Sequence, residues 1–227
     1  MSLRFEAGAP CWAGFRSADV SASASFYAGL FGWEGTASDN GYVVFSLHGA
    51  AVAGGGPLIR DGQSPAWCTY VKVDDADRSV RAAADGGASI LIEPFDVPGQ
   101  GRVGVITDPG GAELWIWQPL GFEGVDRLGE PGTICGQALL ATDPEAAREF
   151  YRAAFGDAAA SRCRDRADSD GAEPDDDWLV TFGAEDVAAI VERALGLGAT
   201  ADLLGQGWAE LIDPQGCRFA VGPASGA

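Results

Sequence analysis

The side chains that most often carry out enzyme chemistry are scarce in this chain of 227 residues. His48 is its one histidine, and the five cysteines at positions 11, 68, 135, 163 and 217 include no C-x-x-C pair. A single histidine excludes any mechanism that needs two histidine ligands, or a second histidine as a base. An odd cysteine count without paired spacing argues against a disulfide framework and against a zinc knuckle. We therefore interpret the cysteines as reduced thiols of the core.

Charge and composition narrow the class of partner. Acidic residues outnumber basic residues 33 to 15, and the net charge of −18 repels the phosphates of nucleic acids and of anionic lipids. No apolar run approaches the ~20 residues of a membrane helix, and the start of the sequence lacks the layout of a signal peptide. With 47% hydrophobic residues, we predict a globular cytoplasmic protein that binds neither nucleic acid nor membrane.

The sequence repeats itself once. Three landmarks occur twice in the same order: the segment FYAGLFG as FYRAAFG, a stretch that runs from Trp to Asp, and the turn DPGG as DPQG. Their residue numbers are 26–32 and 150–156, 67–75 and 178–186, and 108–111 and 213–216. Because the landmarks lie closer together in the second copy, the chain consists of two homologous halves of which the C-terminal one is trimmed.

Hydrophobic periodicity assigns alternating strands and helices to each half. Helices are predicted to begin after Asp19 and Asp75, whose carboxylates cap the first turn, and to end at Gly32 and Gly86. The order in the first half is βαβββ twice, in an α+β fold. Its strands are predicted at residues 11–16, 42–47, 51–53, 67–73, 90–93, 102–106 and 114–117.

The two halves predict the domain organisation. We expect an N-terminal domain over residues 8–119, a Gly-rich linker over 120–132 and a degenerate C-terminal domain over 133–223. In the second half an acidic stretch, residues 162–177, replaces the hairpin, and we interpret it as a mobile solvated loop. Losing the hairpin strands should narrow the second cavity. We therefore assign binding to the N-terminal domain and a scaffold role to the C-terminal one.

This order of motifs resembles the vicinal oxygen chelate superfamily, which includes glyoxalase I, extradiol dioxygenases and bleomycin-resistance proteins. The resemblance rests on the Asp-capped helix with F-Y-x-x-L-F-G, the strand ending V-D-D, the helix ending G-G-A and the turn D-P-G-G. It spans nearly the whole chain. It implies two tandem glyoxalase/bleomycin-resistance-like domains, in which paired βαβββ modules curl around a cavity with the helices outside.

The resemblance also implies metal ligands, of the types His, His and Glu or Gln, at three positions of each domain. Counted from the motif aspartates, these positions hold Trp12, Cys68 and Trp115 in the first domain, and Gly136, Leu179 and Ala220 in the second. Divalent cations prefer oxygen and imidazole ligands, and none of the six residues supplies one. We therefore expect no metal site, no cofactor and no metal chemistry.

Alternation along the strands predicts what fills the space instead. Counted from the same positions, the inward-facing residues of three strands of the first domain are Trp12, Gly14, Arg16, Cys68, Tyr70, Lys72, Glu113, Trp115 and Trp117. The hairpin adds Tyr42, Val44, Ser46 and His48, and a one-residue slip in register would exchange the two faces. Three tryptophans and two tyrosines would then line one concavity suited to stacking on an aromatic ligand. The predicted ligand-binding residues are Trp12, Arg16, Tyr42, His48, Cys68, Tyr70, Trp115 and Trp117, whereas Trp67 and Trp178 are predicted to pack in the core.

Three of the inward-facing residues are candidates for catalysis. Glu113 could act as a general base in a desolvated cavity, and His48 or Tyr70 as an acid–base group. The commoner roles are a solvated carboxylate at the rim, a hairpin histidine and a core tyrosine. Cys68 is expected to be a small core hydrophobe.

We therefore predict metal-independent binding of a planar aromatic small molecule by a sequestering or biosynthetic accessory protein. The resemblance implies a natural product or antibiotic intermediate as ligand, because bleomycin-resistance proteins sequester a drug and similar tandem proteins help anthracycline hydroxylation. A biosynthetic hydroxylase is the protein partner that it suggests. The alternative is an enzyme: either a metal-free isomerase-, lyase- or hydroxylase-like enzyme with Glu113, His48 or Tyr70 as acid or base, or a glyoxalase-like enzyme that holds a metal through groups other than those aligned above. A third hypothesis is an interaction protein whose cavity is filled by its own side chains.

Overall fold

The computed structural model describes residues 3–166, 176–205 and 207–224. Its strands belong to two sheets, one of eight and one of six strands. The longest helices in this part of the chain, Val20–Phe31 and Pro144–Phe155, have twelve residues each, so no described helix is long and apolar enough to cross a membrane.

The first half folds as βαβββ twice, which confirms the predicted order. One element was not predicted: the strand Glu34–Ala37, all of whose residues are exposed. The elements are β1 (Pro10–Ser17), α1 (Val20–Phe31), β2 (Glu34–Ala37), β3 (Val43–Leu47), β4 (Ala50–Pro57), β5 (Ala66–Lys72), α2 (Ala76–Asp85), β6 (Ser89–Val97), β7 (Gly101–Thr107) and β8 (Glu113–Pro119).

The second half is shorter, as the repeat predicts. Its elements are β9 (Ile134–Ala141), α3 (Pro144–Phe155), α4 (Asp157–Ala160), β10 (Cys163–Asp165), β11 (Asp177–Ala184), α5 (Val187–Gly196), β12 (Thr200–Gly205), β13 (Trp208–Ile212) and β14 (Arg218–Pro223). Strand β10 runs parallel to β9 as β4 runs parallel to β1, so β10 corresponds to β4. Among the described residues nothing corresponds to the β2–β3 hairpin. Part of the predicted acidic loop is thus a strand, and its residues 167–175 lie outside the described residues.

The chain forms two compact units, each made of segments from both halves. Unit 1 comprises residues 1–12, 68–124 and 137–178, and unit 2 comprises residues 13–67, 125–136 and 179–227. Unit 1 contains the strand orders β5-β8-β7-β6 and β10-β9, and unit 2 contains β2-β3-β4-β1 and β11-β14-β13-β12. Each unit therefore combines one module of the first half with one of the second. The division into domains over 8–119 and 133–223 stays a prediction.

Aspartate caps start the helices where the sequence predicts them. The carboxylates of Asp19, Asp75, Asp143 and Asp186 accept hydrogen bonds from backbone N–H groups in the first turns of α1, α2, α3 and α5. Gly32 ends α1 in the left-handed conformation, with φ 74°. These local signals fix where the helices lie along the chain.

In each unit, a buried chain of hydrogen bonds links a tryptophan, a tyrosine and an aspartate. In unit 2, Trp67 Nε1 donates to the Tyr27 hydroxyl (2.8 Å), which donates to Asp213 Oδ2 (2.8 Å). In unit 1, Trp178 Nε1 donates to Tyr151 (3.1 Å), which donates to Asp108 Oδ2 (2.7 Å). We call these the Trp–Tyr–Asp links.

The Trp–Tyr–Asp links explain why the three landmarks recur. Each link takes its tyrosine from the F-Y helix, its aspartate from the D-P turn of the other half and its tryptophan from the start of a strand. Both tryptophans are buried, which confirms that Trp67 and Trp178 pack in the core. The repeated residues therefore connect elements of both halves within each unit.

Candidate functional site

The strands β5 and β8 of unit 1 present the predicted residues on one face. They pair in parallel with Tyr70 opposite Trp115, and their alternate residues, such as Val71 and Ile116, pack in the core against α2 and α3. Cys68, Tyr70 and Lys72 thus share a face with Glu113, Trp115 and Trp117. The alternation predicted this correctly.

Five aromatic side chains of unit 1 make ring contacts in two groups, which we together call the aromatic cluster: the pair Tyr70 and Trp115, and the trio Trp12, Trp117 and Phe122. The rings of Tyr70 and Trp115 lie 5.0 Å apart and tilted by 38°. Trp12 meets Phe122 edge to face at 4.8 Å, and Phe122 lies 6.3 Å from Trp117. The four predicted members are buried, Trp117 being the most exposed of them at 7%.

A carboxylate lies at one edge of the aromatic cluster. Trp115 Nε1 donates to Glu113 Oε1 (2.9 Å), and the Cys68 thiol points to the same oxygen at 3.9 Å. The Gln137 amide, which sequence reasoning did not single out, donates to the backbone carbonyl of Trp12 (3.1 Å). The cluster thus combines flat apolar rings with one carboxyl group at its edge, which can orient a ligand that carries a hydrogen-bond donor.

Three predicted ligand-binding residues, Arg16, Tyr42 and His48, lie in unit 2. The Arg16 guanidinium lies over the Tyr42 ring, 5.5 Å from its centroid. This ring lies flat on the paired strands β1 and β4, where a Cβ at Gly54 would clash with it. His48 is exposed in the β3–β4 turn, with φ 53°.

Sequence reasoning missed a group of side chains on one face of the paired strands β13 and β14. Arg218 forms a two-pronged ion pair with Glu210 (2.6 and 2.9 Å), and Trp208 on the same face is 41% exposed. The Trp208 ring lies against Gly222, where a Cβ would clash with it. Trp208 gives no signal in the sequence, since it belongs to none of the repeated landmarks.

The residues at the family's metal positions do not fit a divalent cation. Trp12 and Trp115 carry indole N–H groups, which donate hydrogen bonds and do not bind a cation. The third position of the same set holds the thiol of Cys68. In unit 2 the positions hold Gly136, Leu179 and Ala220, which have no donor atoms for a metal. Within the described ranges no group of three His, Cys, Asp or Glu side chains could hold an ion.

The cysteines are free, and burial makes several of them unreactive. Burial raises the pKa of Cys135 and of Cys163 to about 11, and that of Cys11 further still. Thiols with such pKa values stay protonated at neutral pH and are poor nucleophiles. Cys11 and Cys163 are buried in the core, and Cys135 is half-buried.

The fold and the comparisons with known proteins agree on the family. A family model described as "Glyoxalase/Bleomycin resistance protein/Dioxygenase superfamily" matches residues 12–116. Together with the full-length relatives below, this match shows that the chain belongs to the glyoxalase/bleomycin resistance protein/dioxygenase superfamily. The resemblance stated from the motifs is confirmed.

The relatives carry a more specific description of their own. The anthracycline biosynthesis protein DauV of Streptomyces sp. (strain C5) is 32% identical over 260 residues, covering 96% of this chain and 94% of that protein. The anthracycline biosynthesis protein DnrV of Streptomyces peucetius matches with the same identity and coverage. Among solved structures, the Mn(II)-bound glyoxalase from Novosphingobium aromaticivorans has a TM-score of 0.63 at 15% identity, over 97% of this chain and 83% of that one. At that identity the structure shows the fold alone.

Proposed function

We propose that this protein binds a planar aromatic small molecule, a natural product or antibiotic intermediate, as a sequestering or biosynthetic accessory protein. The observation that carries the proposal is the aromatic cluster, in which Trp12 and Trp115 stand at positions where the family's enzymes hold metal ligands. Offset and edge-to-face ring pairs are worth ~0.5–1.5 kcal/mol each beyond the burial of area. A flat polycycle can make several such pairs with the cluster.

The relatives support the class of ligand. DauV and DnrV are both named anthracycline biosynthesis proteins, and they align with nearly the whole of this chain. Anthracyclines are planar polycycles, which suits stacking on the flat rings of the aromatic cluster. A biosynthetic hydroxylase that makes or uses the ligand is the proposed protein partner.

The test is a titration of the purified protein with daunorubicin and its neutral aglycone, followed by tryptophan fluorescence at 0.15 M salt. The aglycone controls for attraction of the cationic amino sugar to a protein of net charge −18. We expect saturable quenching that Trp115→Leu weakens about two- to twelvefold, since it removes one ring partner. Trp208→Leu, at an exposed tryptophan of unit 2, is the matched control and should leave the affinity unchanged. No saturable quenching by several polycycles would refute the proposal.

One observation favours an enzyme as the second candidate. The Glu113 carboxylate lies at the edge of the aromatic cluster, where it accepts from Trp115 Nε1, and it could take a proton from a bound ligand. A turnover that depends on pH and is abolished by Glu113→Gln, with ligand affinity retained, would establish this role. The candidates His48 and Tyr70 would be tested by His48→Gln and Tyr70→Phe in the same assay.

A further inference from the structure

Phe122 covers part of the aromatic cluster from a segment with no regular secondary structure. It lies three residues after the end of β8, in the segment 120–124, which the sequence assigns to a linker. Its ring packs edge to face on Trp12 at 4.8 Å and lies 6.3 Å from Trp117. Its backbone carbonyl accepts a hydrogen bond from Trp117 Nε1 (2.8 Å). Phe122 thus occupies both a ring position and an acceptor position beside two buried indoles.

The segment is held by few attachments. The backbone N–H groups of Leu120, Gly121 and Phe122 all point to one carbonyl, that of Gln100, at 2.9, 2.8 and 3.0 Å. A carbonyl oxygen has two lone pairs, so three donors that share it are each bound weakly. The Leu120 side chain is 80% exposed and adds no burial. Opening the segment would therefore break these shared hydrogen bonds and the contacts of Phe122 with Trp12 and Trp117, but no sheet ladder.

Phe122 is flanked by two glycines, Gly121 and Gly124. Gly124 has φ 133°, and a Cβ there would clash with the carbonyl of Cys11. A Cβ at Gly121 would clash with the carbonyl of Gly99. Both positions need glycine for a close backbone approach, and glycine also lets the backbone change conformation there at low cost.

We infer that Phe122 is a cover that the ligand displaces: its ring and carbonyl stand in for a planar ring that carries an acceptor oxygen. When such a ligand enters, it takes the edge-to-face contact with Trp12, and its oxygen replaces the Phe122 carbonyl as acceptor for Trp117 Nε1. This replacement keeps the buried indole N–H satisfied, whereas a plain hydrocarbon would leave it without an acceptor. The inference rests on the proposed function and narrows its ligand class to planar rings with a carbonyl or similar oxygen.

The experiment compares the wild type with Phe122→Ala, Phe122→Leu and the control Phe95→Ala. Phe95 lies on β6 in the same unit and is 48% exposed. Without ligand, acrylamide quenching of tryptophan fluorescence and hydrogen–deuterium exchange of residues 119–125 measure how far the segment is open. With ligand, the titrant is the neutral anthracycline aglycone daunomycinone, which is planar and carries quinone oxygens, and anthracene serves as the hydrocarbon comparison.

We expect Phe122→Ala to increase acrylamide quenching and to tighten daunomycinone binding about two- to twelvefold, the range of one lost ring pair. Phe122→Leu should fall between wild type and Phe122→Ala, and Phe95→Ala should match the wild type. Exchange over residues 119–125 should quicken when daunomycinone binds, and anthracene should bind more weakly than daunomycinone.

The outcomes separate the two proposals. If the wild type binds daunomycinone and Phe122→Ala changes neither quenching nor affinity, or weakens the affinity, the cover is refuted while the proposed function stands. If neither protein binds any polycycle although Phe122→Ala opens the segment, the proposed function is refuted. Retained thermal stability of Phe122→Leu shows that a change in binding does not come from misfolding.

Discussion

Removing one hydroxyl from a Trp–Tyr–Asp link should destabilise the protein well beyond the usual cost of a Tyr→Phe change. The Tyr27 hydroxyl is fully buried, accepts from Trp67 Nε1 and donates to Asp213 Oδ2. In Tyr27→Phe both partners remain buried, and each loses a hydrogen bond with no water to replace it. The variant Tyr151→Phe makes the same change in unit 1, to Trp178 and Asp108.

The expected magnitude follows from two unsatisfied buried groups. Leaving a buried donor or acceptor unpaired costs ~1–3 kcal/mol, so the two together lower the free energy of unfolding by about 2 to 6 kcal/mol. For a chain of this size each kcal/mol moves Tm by ~2–4 °C, which predicts a fall of about 4 to 24 °C. Burial and the adjacent Asp213 raise the pKa of Tyr27 well above its ordinary value, so ionisation of the phenol does not affect the comparison near pH 7.

The assay is thermal unfolding followed by circular dichroism, with urea unfolding as a second measurement. Ser25→Ala is the control, because it removes a hydroxyl from the exposed face of the same helix, and it should change stability by no more than ~0.5 kcal/mol. In a double-mutant cycle, Trp67→Phe with Tyr27→Phe should cost less than the sum of the single changes, since the two remove the same hydrogen bond. If Tyr27→Phe and Tyr151→Phe both leave Tm within about 2 °C of the wild type, a span that corresponds to ~1 kcal/mol or less, the links do not stabilise the fold as described.

Three further predictions concern stability and metal content. Burial raises the pKa of Asp108, so the stability that this carboxyl group contributes is fully present below the pKa of an unfolded aspartate and is lost as pH rises through the folded-state pKa. In urea unfolding over that pH range, the wild type should lose stability relative to Asp108→Asn. Free energies of unfolding that change with pH in the same way in both proteins would contradict this. Gly124→Ala, which places a Cβ against the Cys11 carbonyl, should lower Tm more than Gly49→Ala, where φ is 78° but nothing lies within 4 Å; equal shifts would argue against close approach at Gly124. Elemental analysis of the purified protein should find Mn, Fe, Ni and Zn well below one per chain, and a stoichiometric ion would show that the metal positions have been wrongly aligned.

Local signals predicted much of the fold. The four capping aspartates and Gly32 set helix boundaries because the first and last turns depend on nearby residues alone. Strand β2 was not predicted, because all of its residues are exposed and they show no alternating apolar pattern. The sequence also did not predict which modules share a unit, because this depends on contacts between residues far apart in sequence, which periodicity does not encode.

The candidate site was partly predictable for the same reason. The faces of β5 and β8 followed from strand alternation, which placed Tyr70 and Trp115 together. Phe122 was missed because its neighbours are glycines and polar residues, which are typical of a linker. Only its packing on Trp12 shows that it belongs to the aromatic cluster.

The make-up of the units bears on how such a chain can arise and be divided. Each unit takes one module from each half, and its Trp–Tyr–Asp link joins a tyrosine from one half to an aspartate from the other. A polypeptide cut between residues 120 and 132 would yield two fragments that each hold only half of both units. An ancestor of a single half could have formed the same links only by associating with an identical copy, so gene fusion would have turned a homodimer into one continuous chain.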